Sequence, residues 1–487
     1  MNPHHEKWSF VAVLAIGIAL KLLLLATSQS MPDGDEAVEG LMAMHMLRDG
    51  VHRLYPYGVR YGAGAGVETH AAAALFAVAG PSGVALKTVG LVVWSLSLLL
   101  LIAIVRKRLG QRAALLAGAL YAVSPAGCQW AMKVGGGHQI AVALGLLTWW
   151  LNETVDSRKT PALAWLVPLV ALAHPIAAPF ALFLAGSQWL RTSARLRPWY
   201  VASLALAVCL ELLLLAPTES GVWDPSAASL AVSRIPLALG AVATSFFSPN
   251  LNGRHCRDLV EAGGAIVWLT VLCASLWALR RDRELLASVI CTIGVVVMVN
   301  VDLLVPRHLL LLHPIGCMAI AQAVYRRPGR QRAAICAGLI TLGLIAHVRE
   351  TRSPYVYGPA PQHNGVSRAE FRTIIDTLQS QGIKHVYSLD PMLQWNVMFA
   401  TNERILARWK NPADRVPRYA RLVDQARLNG EPIAVVGDFR DRAPPGTPQK
   451  LGLVLQPDQT VIGDTFPLSS QYPQGAAEVP PSGITEK

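Results

Sequence analysis

The chain has 487 residues, of which 53% are hydrophobic and only 15% are charged. Soluble globular proteins carry about 25% charged residues, so this composition excludes an ordinary soluble protein and predicts a membrane protein. The net charge of +12 does not indicate nucleic-acid binding. The basic residues form short clusters between apolar segments rather than one patch with interleaved aromatic side chains, so we expect no nucleic acid among the partners.

Apolar segments dominate the first 350 residues. Each is close to the roughly 20 residues that a helix needs to cross the hydrocarbon core of a bilayer, and together they predict about eleven transmembrane helices. A signal peptide is the alternative for the first segment, but its apolar run is longer than in most signal peptides and many segments follow it. The predicted spans are residues 8–27, 83–105, 113–129, 138–152, 160–173, 175–190, 198–216, 259–279, 285–302, 306–324 and 332–348.

Basic clusters between these segments predict the orientation of the chain. If the N-terminus is cytoplasmic, every cluster faces the cytoplasm, as the positive-inside rule requires. Residues 28–82, 217–258 and 350–487 then lie outside. The clusters are in the stretches VRKRLGQR, SRKT, RTSARLR, RRDRE and RRPGRQR.

The first outer loop opens with concentrated negative charge, in the stretch PDGDEAVEG. Asp33 and Asp35 are spaced like the Asp-x-Asp pair that holds a metal on a nucleotide sugar, but nucleotide sugars are cytoplasmic and this loop is predicted to lie outside. A carboxylate there could instead accept the proton of an acceptor hydroxyl while a sugar leaves a lipid phosphate. The alternative is that Asp33 or Asp35 caps a helix predicted over residues 37–47.

Three stretches carry a family resemblance: DGDEAVEGLMAMHMLRDG, YGAGAGVETHAAAALFAVAGPS and the arginine in VPRHLLLLHP. They resemble the GT-C fold membrane glycosyltransferases, in particular the superfamily of protein mannosyltransferases and lipid A aminoarabinose transferases (glycosyltransferase family 39). The resemblance covers the membrane part, and the tail resembles the extracytoplasmic domain of those relatives. The Lys-Pro-Pro-Leu stretch of some aminoarabinose transferases is absent, so the sequence does not predict which sugar is moved.

The resemblance implies three catalytic residues in the first outer loop. Asp35 corresponds to the aspartate taken as the catalytic base in that family, and Glu36 is its neighbour in the motif. Glu68 follows a glycine-rich stretch and matches a Gly-x-x-Glu-like segment, which implies a place in the active-site cavity. The alternative for Glu68 is a solvated loop carboxylate.

A phosphate leaving group also needs positive charge on the outer side of the membrane. Arg307 lies at the outer start of a predicted span, and a guanidinium matches phosphate oxygens in bidentate fashion. Lys133 and His138, in MKVGGGHQI, are further candidates for binding the donor phosphate, with Lys87 as a weaker one. The alternative for Lys87 and Lys133 is that they extend to the lipid headgroups.

Together these features predict an inverting glycosyltransferase, with residues 1–349 as a polytopic transmembrane domain in a bacterial inner membrane. It would move a sugar from a polyprenyl-phosphate donor to a glycan, lipid or protein acceptor, beside membrane lipids. A transporter or a non-catalytic binder of lipid-linked sugars are the alternatives; transporters often show repeated halves, and no self-similarity is apparent here. The sequence identifies no metal-binding residues and leaves open whether a divalent metal is needed.

The tail, residues 350–487, is predicted to be a small periplasmic α/β domain. Apolar residues with helical spacing at 371–378 and 419–426 are each followed by a glycine and a strand-like stretch, IKHVYSL and PIAVVGDF. After residue 470 the Pro, Gly, Ser and Gln content predicts a disordered end.

Overall fold

A computed structural model describes residues 3–27, 32–52, 65–155, 162–174, 177–214, 259–278, 280, 283–294, 309–351, 368–409, 416–437, 452–455, 466 and 468. The chain divides into two compact units. The first contains residues 1–27, 60–67 and 90–352, and the second contains residues 28–59, 68–89 and 353–487. The first outer loop therefore belongs largely to the same unit as the tail.

Helices account for almost all of the described chain before residue 352. They are α1 (Pro3–Thr27), α2 (Gly34–Asp49), α3 (Ala65–Ala79), α4 (Gly83–Leu109), α5 (Gln111–Val123), α6 (Gly127–Trp130), α7 (His138–Thr154), α8 (Ala162–Ala173), α9 (Ala178–Arg191), α10 (Arg197–Leu214), α11 (Leu259–Ala278), α12 (Arg283–Gly294), α13 (Leu312–Tyr325) and α14 (Gly329–Thr351). Every predicted span overlaps one of these helices.

Three of the described helices are long and apolar enough to cross a membrane: Trp8–Thr27, Gly83–Leu109 and Gly329–Thr351. The shorter apolar helices include Leu312–Tyr325. The chain is thus a largely helical membrane protein, and the number of about eleven spans stays a prediction.

Close helix contacts hold the first unit together. Gly343 on α14 packs against the Val123 carbonyl at the end of α5, where a methyl group would overlap the backbone. Gly90 on α4 lies against the backbone of Met132 and Lys133, at 2.7–3.0 Å from where its Cβ would be. Small residues at such crossings let helices approach closely, which is how apolar helices associate when hydrophobic burial supplies little driving force.

Lys21 is fully buried in the C-terminal third of α1. Its ammonium donates to the Ala122 carbonyl at 3.1 Å and lies 2.6 Å from His347 Nε2 and 5.1 Å from the centroid of the Trp94 ring. His347 Nδ1 donates to the Gly343 carbonyl at 2.9 Å, so Nε2 is the nitrogen that accepts from Lys21. A buried charge is thereby bonded to two helices distant in sequence.

Within the described residues of the tail, four strands form a sheet with the order β2-β1-β3-β4. Strand β1 is parallel to both of its neighbours, and β4 is antiparallel to β3. The predicted pairs of helix and strand are observed, while a separate periplasmic domain stays a prediction and the end after residue 470 lies outside the described residues. The elements are α15 (Arg368–Ser380), β1 (His385–Ser388), α16 (Pro391–Ala400), β2 (Leu406–Trp409), α17 (Pro417–Leu428), β3 (Ile433–Gly437) and β4 (Gly452–Leu455).

A buried ion pair fixes α17 on the sheet. Arg408 Nη1 donates to both carboxylate oxygens of Asp424, at 2.6 and 2.7 Å, and the Tyr387 hydroxyl donates to the same carboxylate at 2.8 Å. Because these groups satisfy one another, α17 is held in one position over β1 and β2.

Helix α2 of the first loop packs against α16 through two glycines. A Cβ on Gly34 would lie 2.6 Å from the Met392 Cβ, and a Cβ on Gly40 would overlap the ring of Phe399. The absence of side chains at these two positions is what lets the two helices meet. This contact sets the position of the acidic start of α2 within the second unit.

Candidate functional site

Asp33, not Asp35, caps α2. Asp33 Oδ1 accepts from the backbone N–H of Glu36 at 2.9 Å, and Glu36 Oε2 accepts from the backbone N–H of Asp33 at 3.0 Å. This reciprocal arrangement is a capping box, which satisfies two N–H groups at the helix start. Capping was the alternative explanation for Asp35, but Asp33 is the residue that caps the helix. Asp35 itself is half-buried in the first turn.

Glu36 has a second partner on α4. Lys87 Nζ donates to Glu36 Oε2 at 2.6 Å, and the side chains of the pair are 7% and 1% exposed. The expectation that Lys87 extends to the lipid headgroups is wrong, because the buried carboxylate of Glu36 provides its partner. Glu36 is therefore held from two sides, by the cap and by Lys87.

Two further carboxylates of the second unit, Glu68 and Glu39, are buried. Glu68, in the first turn of α3, is 2% exposed, so the alternative of a solvated loop carboxylate is wrong. Glu39, three residues after Glu36, is equally buried and accepts a hydrogen bond from the Thr69 hydroxyl. Glu39 was not among the predicted site residues, although its position one turn after Glu36, within a run of small and apolar residues, is a signal of burial beside it.

The far end of α2 meets a carboxylate from the tail. His45 Nε2 lies 2.9 Å from Glu403 Oε1, Arg48 Nη1 donates to Glu403 Oε2 at 2.9 Å, and the Tyr419 hydroxyl donates to Oε1. Burial by itself raises the pKa of Glu403, but the hydrogen bonds from His45 and Tyr419 and the charge of Arg48 outweigh burial and lower that pKa to about 2. Glu403 is therefore ionised at neutral pH.

Glu403 lies in a turn that rarely accepts its residue type. After α16, the N–H of Asn402 bonds to the Phe399 carbonyl and the N–H of Glu403 to the Met398 carbonyl, at 3.1 and 2.8 Å. This is a Schellman motif, in which a residue of positive φ ends the helix and glycine is preferred. Here Asn402 and Glu403 have φ of 48° and 58°.

Lys133 and His138 belong to the first unit, at a glycine turn before α7. Gly135, Gly136 and Gly137 have φ of 156°, 68° and 73°, and Gly137 is the N-cap of α7. Such φ values are readily adopted only by glycine, so the three residues explain how the chain turns sharply into the helix. The positive end of the helix dipole lies at this N-terminus.

The side chains at this turn form a cluster with aromatic rings. Lys133 Nζ is 4.9 Å from the Trp130 ring centroid, and the His138 ring is 5.4 Å from Trp130 and 4.1 Å from His174. Lys133 is only 8% exposed, which argues against the alternative in which it extends to the headgroups. Arg307 lies outside the described residues, so its role stays a prediction.

Metal binding finds no support among the side chains described. No group of three or more His, Cys, Asp or Glu residues in the described ranges is arranged to hold a metal ion.

Comparisons with known structures identify the fold. The chain is similar to ArnT from Cupriavidus metallidurans in the apo state, with 13% identity over 88% of this chain and 92% of that one and a TM-score of 0.57. The same protein bound to undecaprenyl phosphate is 13% identical over 92% of this chain and 98% of that one, with a TM-score of 0.55. An Archaeoglobus fulgidus oligosaccharyltransferase tethered with an acceptor peptide gives 10% identity, 90% and 69% coverage and a TM-score of 0.50.

These similarities show that the chain has the fold of ArnT, and the predicted resemblance to GT-C fold proteins is confirmed at the level of fold. In sequence, no protein-family model matches the chain, and neither does any curated protein. At 13% identity the likeness shows the fold alone, so function must be argued from the residues.

Proposed function

We propose that the protein is an inverting glycosyltransferase of a bacterial inner membrane, with Asp35 as its catalytic base. It moves a hexosyl or pentosyl group from a polyprenyl-phosphate donor to an acceptor hydroxyl on the outer face. The fold supports a lipid-linked donor, since ArnT has been captured with undecaprenyl phosphate. The acceptor is a glycan, a lipid or a protein.

The observation that carries the proposal is the capping box at the start of α2. Three carboxylates lie within four residues there, and Asp33 and Glu36 cap the helix reciprocally. Glu36 also pairs with Lys87. Asp33 and Glu36 thereby account for the capping of α2. Asp35 is half-buried in the first turn of the same helix, which supports a role for its carboxylate other than capping.

The chemistry requires one displacement. The Asp35 carboxylate accepts the proton of the acceptor hydroxyl as the oxygen forms a bond to C1 of the sugar. The bond from C1 to the phosphate oxygen breaks, and its electron pair leaves with polyprenyl phosphate. A single displacement inverts the configuration at C1, and a positioned base contributes about 10²–10⁴-fold to the rate of such a step.

The phosphate is assigned to Lys133 and His138. A buried ammonium, a histidine and the N-terminus of α7 all carry positive charge or donors, which suits a phosphate that becomes more negative as the sugar leaves. Arg307 is proposed as a third phosphate ligand on the sequence pattern alone. Glu68 is proposed to bind the acceptor or the sugar rather than to act as the first base.

The test is Asp35→Asn, with Asp376→Asn as the matched control. Asp376 is an exposed carboxylate on α15, so its loss should change neither folding nor transfer. Cells that produce wild type, each variant or no protein are compared by mass spectrometry of surface glycans and glycolipids. We expect one sugar modification that depends on the protein, is retained with Asp376→Asn and is lost with Asp35→Asn. Turnover of purified Asp35→Asn should fall about 10²–10⁴-fold at unchanged thermal stability.

Two results would contradict the proposal. Near-normal turnover of Asp35→Asn would move the base to Glu36 or Glu68. A purified wild-type protein that binds polyprenyl-phosphate lipids but transfers no sugar in any extract of its own cells would instead be a non-catalytic binder.

A further inference from the structure

We infer that Glu403, from the tail, is a positioning residue that sets the orientation of α2 and thereby the place of Asp35. The inference rests on the proposed function, because it concerns the residue assigned as the base. The tail would then contribute to the reaction by positioning the base, which its sequence pattern does not predict.

Helix α2 is held at three levels within the second unit. Its start is held by Lys87, which donates to Glu36 at 2.6 Å. Its middle is held by Gly40 against the Phe399 ring. Its end is held by Glu403, which binds both His45 and Arg48. Among these three contacts, the one made by Glu403 is the only one in which a charged side chain of the tail binds α2.

The charges around Glu403 are arranged for holding rather than for catalysis. Arg48 bonds to Asp49 at 3.0 and 3.2 Å and to Glu403 at 2.9 Å, so one guanidinium joins two carboxylates. The Tyr419 hydroxyl, from α17, donates to Glu403 and lies 3.4 Å from His45 Nε2. With all of these donors present, the Glu403 carboxylate is committed to contacts within the protein.

The backbone supports a specific use of this side chain. Glu403 has a φ of 58°, and a non-glycine residue of this kind persists in such a conformation only when its surroundings over-determine it. Glycine would be the less strained choice at this point of the turn. The carboxylate that binds α2 is the feature that glycine could not provide.

Geometry gives the size of the expected effect. Asp35 lies five residues before Gly40, the middle contact of α2, which is about 7.5 Å along a helix. When loss of the Glu403 contact lets α2 rotate about Gly40, a rotation of about 8° moves Asp35 by about 1 Å. A displacement of that size at a reacting group can cost about 100-fold in rate, with little change in the binding of a substrate held elsewhere.

The experiment compares Glu403→Gln and Tyr419→Phe with Glu431→Gln as the matched control. Glu431 is a partly exposed glutamate of the tail that faces His385 and not α2. We expect kcat to fall between about 10- and 100-fold for Glu403→Gln and less for Tyr419→Phe, with KM for the donor lipid unchanged. Glu403→Asp should recover part of the loss. Hydrogen exchange at the amides of residues 35–46 should rise in Glu403→Gln and stay unchanged in Glu431→Gln.

The outcomes separate this inference from the proposed function. If Asp35→Asn is inactive while Glu403→Gln and Tyr419→Phe keep normal kcat, Asp35 remains the base and the positioning role is wrong. If Asp35→Asn is active, the proposed base fails, and faster exchange of α2 in Glu403→Gln would then show only a structural contact. Loss of stability in Glu403→Gln with normal kcat in Tyr419→Phe would also overturn the inference, because Tyr419→Phe removes one hydroxyl and leaves the charge in place.

Discussion

Glu36 and Lys87 form an ion pair in which both side chains are almost completely buried. A buried pair is stable only while each charge compensates the other, because removing one partner leaves a charge in a medium that solvates it poorly. The capping box adds a second demand on Glu36, since its Oε2 also accepts from the backbone of Asp33. At the scale of single residues, the carboxylates next to Asp35 therefore stabilise the start of α2: Asp33 and Glu36 cap the helix, and Glu36 also pairs with Lys87.

We predict that Lys87→Met destabilises the protein by about 3–5 kcal/mol, the usual cost of breaking a buried pair from one side. The double variant Lys87→Met with Glu36→Gln should recover most of this loss, because glutamine is neutral and still completes the capping box. Thermal unfolding in detergent measures both. Equal stabilities of the single and double variants would show that the unpaired charge of Glu36 is not the cause of the loss.

At the scale of helices, the contact of α2 with α16 depends on the missing side chain of Gly40. Glycine inside a helix lowers its stability by about 1 kcal/mol relative to alanine, so its presence needs a reason. The reason here is the ring of Phe399, which occupies the space that a methyl group would fill.

We predict that Gly40→Ala is destabilising by about 1–3 kcal/mol, since extra volume in a close contact forces side chains and backbone to shift. Gly338→Ala is the matched control. Gly338 lies in α14 with open space where its Cβ would be, so the better helix propensity of alanine should leave stability unchanged or raise it by up to about 1 kcal/mol. A Gly40→Ala variant as stable as Gly338→Ala would mean that the packing of α2 on α16 is not tight.

Local sequence patterns predicted part of the fold, but they predicted neither α16, β2 and β4 nor the contacts between residues far apart in the sequence. The helix after Asp33, and α15, β1, α17 and β3, follow from apolar spacing and from the residues that begin and end each element. The partner of Glu36 is 51 residues away, and the partner of His45 is 358 residues away. The spacing of residues around His45 does not indicate that a glutamate of the tail contacts it. The positive φ of Glu403 could not be predicted either, because glutamate rarely adopts this conformation.

At the scale of the whole molecule, the distribution of arginine and lysine predicts the topology. The basic clusters alternate with the predicted outer segments, and this alternation predicts that the tail lies outside the cytoplasm. The fold of ArnT accounts for nearly the whole chain but does not itself define which face of the membrane the tail occupies.

We predict that a reporter fluorescent only in the cytoplasm gives no signal when fused after Lys487. The same reporter fused after Pro328, within the last basic cluster, should be fluorescent, because positively charged loops are retained on the cytoplasmic side. Fluorescence of the first fusion would invert the later part of the predicted topology and place the acidic loop and the tail on different faces.

Lys21 has a consequence for the order in which the protein is assembled. Its ammonium lies in α1, which is synthesised before both of its partners, since Ala122 and His347 follow 101 and 326 residues later. At about 5–20 residues per second, the ribosome needs roughly 16–65 s to reach the second partner. During that time the charge would cost about 2.5–3.5 kcal/mol at the centre of the bilayer, unless it extends to the interface. Helix α1 can therefore make its full set of Lys21 contacts only after α14, which carries His347, has been made.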